Sequence, residues 1–274
     1  MTTPHEPTQT SFARYARPVL VIVVLLQALG LILSTVREGT PVGTWLFLDH
    51  LWPEPATKQF QWAGTMLAVL GSLVVSFARR PIVRYVAAGI ASGWCLALAL
   101  AEWKMGGAPF TELSVGGHAA RIAAPLLLAV WDRTKSVSWV LRVAIASTFA
   151  IHGYESVMLH PRFVDLILAA DRNVFELGLS QRVAEVLLRV IGLHDIALAA
   201  LVLYGRKNAR LLGWMAFWGF VTAFSRVVQS GEGGLHHTFV RAANGGLPLV
   251  MLFLNTRISM SPNPLRMGLS LIHI

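Results

Sequence analysis

Over its 274 residues the chain is 55% hydrophobic and 14% charged, with a mean hydropathy of +0.59 and a formal net charge of +9 at pH 7. That is too apolar for an ordinary water-soluble domain, and it predicts an all-α, polytopic transmembrane helix bundle. The single cysteine, Cys95, excludes an intrachain disulfide and a cysteine-based metal cluster.

Eight apolar stretches follow one another, at residues 18–36, 62–78, 83–103, 117–131, 138–159, 183–204, 209–229 and 238–255. Most approach the ~20 residues that a helix needs to cross the bilayer, so about eight helices are expected. The first follows a tail, residues 1–17, that carries Arg14 and Arg17. It is long for the apolar region of a signal peptide and has no small-residue cleavage pattern before Arg37, so it is expected to be retained. Gly64 and Gly71 in the second stretch, and Gly89 and Gly93 in the third, are predicted to let helices pack closely. In the sixth, Glu185 and Arg189 are spaced to pair on one face. Asn244, Gly245, Gly246 and Pro248 weaken the eighth helix, which can then expose carbonyls to a cavity.

The stretches fall into two halves, residues 18–134 and 138–255, with four helices in each. Pro125 and Pro248 occupy the last helix of each half, after His118 and Arg121 in one and His237 and Arg241 in the other. Two parallel four-helix repeats are expected. Residues 256–268 form a second tail, and residues 269–274 read LSLIHI, the translation of CTG TCT CTT ATA CAC ATC, a transposase mosaic end used in sequencing libraries. This hexapeptide is expected to be an adapter artefact, and His273 is excluded from any site.

Loop charge orients the bundle. With the N-terminus in the cytoplasm, the cytoplasmic segments hold twelve cations: Arg14, Arg17, Arg79, Arg80, Arg84, Arg133, Lys135, Arg206, Lys207, Arg210, Arg257 and Arg266. The opposite side holds six: Arg37, Lys58, Lys104, Arg162, Arg172 and Arg182. Both termini are therefore predicted to be cytoplasmic, in the cell (inner) membrane. The basic net charge reflects topology, and no nucleic-acid partner is expected.

Ionisable groups at membrane depth are costly and mark function or a specific partner. Glu102, His118, Arg121, His152, Glu155, Arg226, His237 and Arg241 all fall in the extracytoplasmic half on this topology. They are expected to converge on an outward-facing polar pocket. His152 and Glu155, three apart on one helix side, can ligate a divalent metal with His118 or His237 from other helices. Alternatively His152 donates to a backbone carbonyl and Glu155 pairs with Arg226 or Arg241. His152 and His194 are a candidate pair of haem ligands. A quinone needs less exacting geometry: an apolar slot, aromatic walls and one or two donors.

The series Arg142, Phe149, His152, Gly153, then Pro161 and Phe163, Gly192, and Trp214 with Trp218 resembles the DoxX-like membrane proteins. The resemblance covers residues 138–255. It implies a four-helix unit whose first helix carries an R…F-x-x-H-G-like pattern, and some relatives are linked to quinone-coupled sulfur oxidation. Family members commonly have a lysine soon after the His-Gly pair, where this chain has Tyr154, Glu155 and Ser156. Two function classes follow. One is a quinone-associated or redox-linked subunit, in which another membrane subunit carries part of the chemistry, because no G-x-G-x-x-G or cysteine cluster is present. The other is a carrier or structural partner whose buried charges pair with one another and fix helix registry. No nucleophile elbow is present, so sequence alone leaves open whether the chain is an enzyme.

Overall fold

The computed structural model describes residues 12–205 and 208–255. Residues 256–268, the hexapeptide 269–274, most of the tail 1–17 and the pair Arg206 and Lys207 lie outside the described residues. Among the described residues the chain is helical, with no strand. In hydrocarbon the backbone must satisfy its own polar groups, and a helix does so within one segment.

The first half runs α1 (Ala16–Arg37), α2 (Pro41–Leu48), α3 (Glu54–Phe77), α4 (Pro81–Met105), α5 (Ser114–Gly117) and α6 (Ala119–Ala129). The second runs α7 (Thr134–Val157), α8 (Pro161–Ala170), α9 (Gln181–Leu203), α10 (Ala209–Ser230), α11 (Leu235–Val240) and α12 (Ala242–Asn255). Five segments are long and apolar enough to cross a membrane by length and composition: Ala13–Leu48, Glu54–Phe77, Pro81–Met105, Gln181–Leu203 and Ala209–Val240. The helix α7 is equally long but less apolar, since it carries Arg142, His152 and Glu155. The fourth expected stretch is divided between α5 and α6, and the eighth between α11 and α12.

The short helices α2 and α8 share a local cause. Each begins on a proline, whose missing N–H is no loss in the first turn, and each is capped by the side chain just before it. Thr40 Oγ1 accepts from Gly43 N at 3.0 Å, and His160 Nδ1 accepts from Arg162 N at 3.2 Å. The helices α4 and α10 also end alike, on Gly106 (φ 59°, ψ −145°) and Gly231 (φ 57°, ψ −140°), a region that only glycine adopts without strain.

The two internal prolines remove an N–H from the carbonyl four residues earlier. For Pro125 that carbonyl belongs to Arg121, and the Gln27 side-chain amide donates to it at 3.3 Å. For Pro248 it belongs to Asn244, which lies against Gly219 of α10 so closely that a Cβ there would come within 2.4 Å of the oxygen. Gly64 and Gly71 do pack α3 against α4, the first beneath the Trp94 ring and the second on the Ala87 carbonyl. Gly89 and Gly93 do not: both are exposed, and a Cβ on either would meet nothing within 4 Å. The expected i,i+4 pairing of Glu185 with Arg189 is replaced by a bond from Gln181 Nε2 to Glu185 Oε1 at 2.8 Å.

The apolar core, with Leu20, Leu127, Leu141, Ile145, Leu212 and Leu247 fully buried, fills the end of the bundle where α1 begins. Polar groups collect at the other end, beneath α2, α8 and the turns before α5 and α11.

Candidate functional site

Among the cavities at that polar end, two meet at Arg241. The larger, about 460 Å³, is lined by Glu38, Glu102, His118, Arg121, His237 and Arg241 among others, with Cys95, His160 and Arg162 also on its walls. The smaller, about 200 Å³, is mostly apolar and lies among α7, α8, α9, α10 and α12. Its walls include Phe149, His152, Phe163, Trp218, Arg226 and Arg241. Of the eight ionisable residues expected to converge, five line the first cavity and three the second. Arg241 is common to both, and Glu155 lines neither because it is held on His152.

The contacts define which nitrogens carry protons. Arginine only donates, so the 3.0 Å contact from Arg121 Nη1 makes His118 Nε2 an acceptor. The 3.5 Å approach of Glu102 Oε2 to that same unprotonated nitrogen is then not an ion pair. His152 Nδ1 lies 3.0 Å from Glu155 Oε2, so Glu155 bonds to its own helix neighbour and not to Arg226 or Arg241. The His152 ring is set edge-on to Phe163, with centroids 6.1 Å apart, while the Arg226 guanidinium lies 5.6 Å from the same ring. His160, outside the long helices, has its imidazole pushed below the ordinary range by burial, which outweighs the upward pull of Glu155 and is reinforced by Arg162 and Arg226.

Positive charge is not neutralised within the cluster. Arg121, Arg226 and Arg241 stand with only Glu102 and Glu155 among the eight, and Arg121 Nε, Arg121 Nη2 and Arg226 Nε are buried with no hydrogen-bond partner. Nε and Nη2 form the side of a guanidinium that clamps an oxyanion with two parallel bonds.

Other expected ligand sets are dissolved by these bonds. His118, His152, Glu155 and His237 do not form a metal-ligand set among the described residues, since His118 is tied to Arg121, His152 to Glu155, and His237 lies 3.4 Å from Glu38. His194 cannot serve haem iron in this arrangement. Trp214 Nε1 donates to its Nε2 at 2.7 Å, which places the imidazole proton on Nδ1, 3.0 Å from Asp195 Oδ1. Trp218 Nε1 donates to the same Asp195 oxygen at 2.8 Å, so a chain of indole, imidazole and carboxylate ties α9 to α10.

Residues of the R…F-x-x-H-G-like series separate into three roles. Phe149, His152, Phe163 and Trp218 line the smaller cavity, and Gly153 meets Gly192 where α7 crosses α9. Arg142 lies at the opposite end, against Gly205, with its Nε buried and unpartnered. Sequence reasoning did not single out Glu38, Gln27, His160 or Trp218 as cavity residues. For His160 a signal existed, a polar residue directly before a proline at a helix start; for Glu38 nothing in the linear spacing ties it to α11. No family model matches the chain, and no curated protein or solved structure matches it.

Proposed function

We propose that the chain is an eight-span protein of the cell (inner) membrane that binds a quinone head group in the smaller cavity, as a subunit of a redox-linked assembly. One observation carries this reading: an apolar slot walled by Phe149, Phe163 and Trp218 is also lined by His152 and Arg226, with Arg226 Nε lacking a hydrogen-bond partner. A quinone ring is flat, apolar and bounded by two carbonyl acceptors, which such donors can meet. The unpartnered guanidinium donors weigh against the alternative in which all buried charges simply satisfy one another. The resemblance of residues 138–255 to DoxX-like proteins belongs to the same proposal.

On this reading α5 with α6, α7, and α12 are spans as well, completing eight. Two parallel repeats are supported by the matched short helices after Pro41 and Pro161, the glycine ends at Gly106 and Gly231, and the internal Pro125 and Pro248. Even numbers of crossings put the polar end on the extracytoplasmic side with both termini in the cytoplasm, as the loop charges require. Reporter fusions after Gly205 and after Glu232 should then report opposite sides of the membrane. The same side for both would refute the eight-span reading.

Quinone binding is tested with a short-chain ubiquinone titrated into detergent-purified protein, followed by tryptophan quenching, alongside solvent extraction of the purified protein. We expect saturable binding at one site per chain. His152→Phe and Arg226→Met should each weaken it about tenfold or more, the effect of losing one good hydrogen bond to a polar or charged donor. Absence of retained quinone together with no saturable quenching overturns the proposal.

A further inference from the structure

A second site stands at the mouth of the larger cavity, independent of the quinone reading. Glu38 caps the end of α1, and His236 and His237 open α11. Their ligand atoms all lie within 4.8 Å of one another: His236 Nε2 is 3.2 Å and His237 Nε2 is 3.4 Å from Glu38 Oε1. His236 is only 1% exposed, yet both of its ring nitrogens lack a hydrogen-bond partner. The Glu38 oxygen is near enough to His236 Nε2 for a hydrogen bond but too far off the N–H axis to make one. Metal bonds of about 2.0–2.2 Å at tetrahedral angles put neighbouring donor atoms ~3.3–3.6 Å apart, close to the observed 3.2 and 3.4 Å.

We infer that Glu38, His236 and His237 bind a divalent transition-metal ion of the Zn²⁺ class. Two imidazoles and a carboxylate suit such an ion, and three protein ligands leave a further position open to the larger cavity, which Glu38 and His237 both line. Close packing fixes the ligands. Gly30 of α1 lies so near α11 that a Cβ there would come within 2.5 Å of Val240 N. Gly234 seats the turn before α11 directly on the Arg226 carbonyl. Arg241 Nη1 donates to the His237 carbonyl at 3.2 Å and holds the backbone of that ligand.

The test uses Co²⁺ as an optical probe on full-length protein purified without a histidine tag. Wild-type protein should bind one Co²⁺ per chain with the intense visible bands of low-coordinate Co²⁺, and Zn²⁺ should displace it. Glu38→Gln and His237→Gln, both at partly exposed positions that leave the fold intact, should each weaken binding beyond the ~10–100-fold that loss of an outer-shell partner costs. His50→Gln, at a histidine of the same end but outside the group, should bind as the wild type does. Absence of stoichiometric Co²⁺, or equal binding by wild type, Glu38→Gln and His237→Gln, overturns the inference, as does an equal loss in His50→Gln.

Discussion

Gly192→Leu should abolish the assembled bundle or lower its apparent Tm by about 6–12 °C. At this crossing α9 rests on α7 backbone to backbone. A Cβ at 192 would lie 2.5 Å from the Gly153 carbonyl and 2.7 Å from Val157 N, and a Cβ at 153 would lie 2.8 Å from the Gly192 carbonyl. Neither neighbour is a side chain that can swing aside, so the helices must separate along a shared face. Overpacking costs about 1–3 kcal/mol and this case sits at the upper end, where each kcal/mol is worth ~2–4 °C in a chain of this size. Small residues matter here because lipid gives helices little apolar drive to associate, leaving close contact to supply it. Thermal unfolding of detergent-purified protein, followed by size-exclusion chromatography, measures the effect. A Gly192→Leu protein that stays monodisperse with an unchanged Tm would show that the crossing is not tight.

Asp195→Ala should be nearly as damaging, through polarity and not volume. Asp195 is buried at 6% exposure and one of its oxygens accepts from both Trp218 Nε1 and His194 Nδ1. Alanine leaves two donors without an acceptor, at about 1–3 kcal/mol for each buried unsatisfied group. Asparagine keeps an amide oxygen in place, so Asp195→Asn should lose clearly less. The comparison is read from the thermal stabilities of the two variants, with tryptophan emission reporting the indole environment. Equal losses for alanine and asparagine would mean that the negative charge, and not the acceptor oxygen, holds α9 to α10.

How much of this was legible in the sequence depends on the range over which each residue acts. The apolar runs mark the long helices directly, but the short helices that open at Pro41 and Pro161 and the early start of α3 at Glu54 were not legible in them, because their first turns are set by proline and its neighbours and not by an apolar run. His152 with Glu155 was readable because three residues bring two side chains to one side of a helix. The division of the polar residues between two cavities was not, because it depends on rotations of α4, α6, α7 and α10 about their axes, which periodicity in an apolar helix scarcely encodes. The outward-facing Gly89 and Gly93 illustrate this: the spacing is that of a packing motif, but the buried face of α4 is set by Ala87, Ala88, Ala91 and Ser92. Glu38 and His236 lie in different halves of the chain, and only the close approach of α1 and α11 at Gly30 brings them together. His194 shows the opposite failure, since its place in the helix was clear while the two bonds that occupy its nitrogens come from another helix.

Because Arg241 stands on the wall between the two cavities, it cannot present the same N–H groups to both at once. A ligand that draws its guanidinium to one side changes what the other side can offer. Two ligands that each bonded to this guanidinium would therefore be linked, and the factor by which either altered the affinity of the other would be the same in both directions.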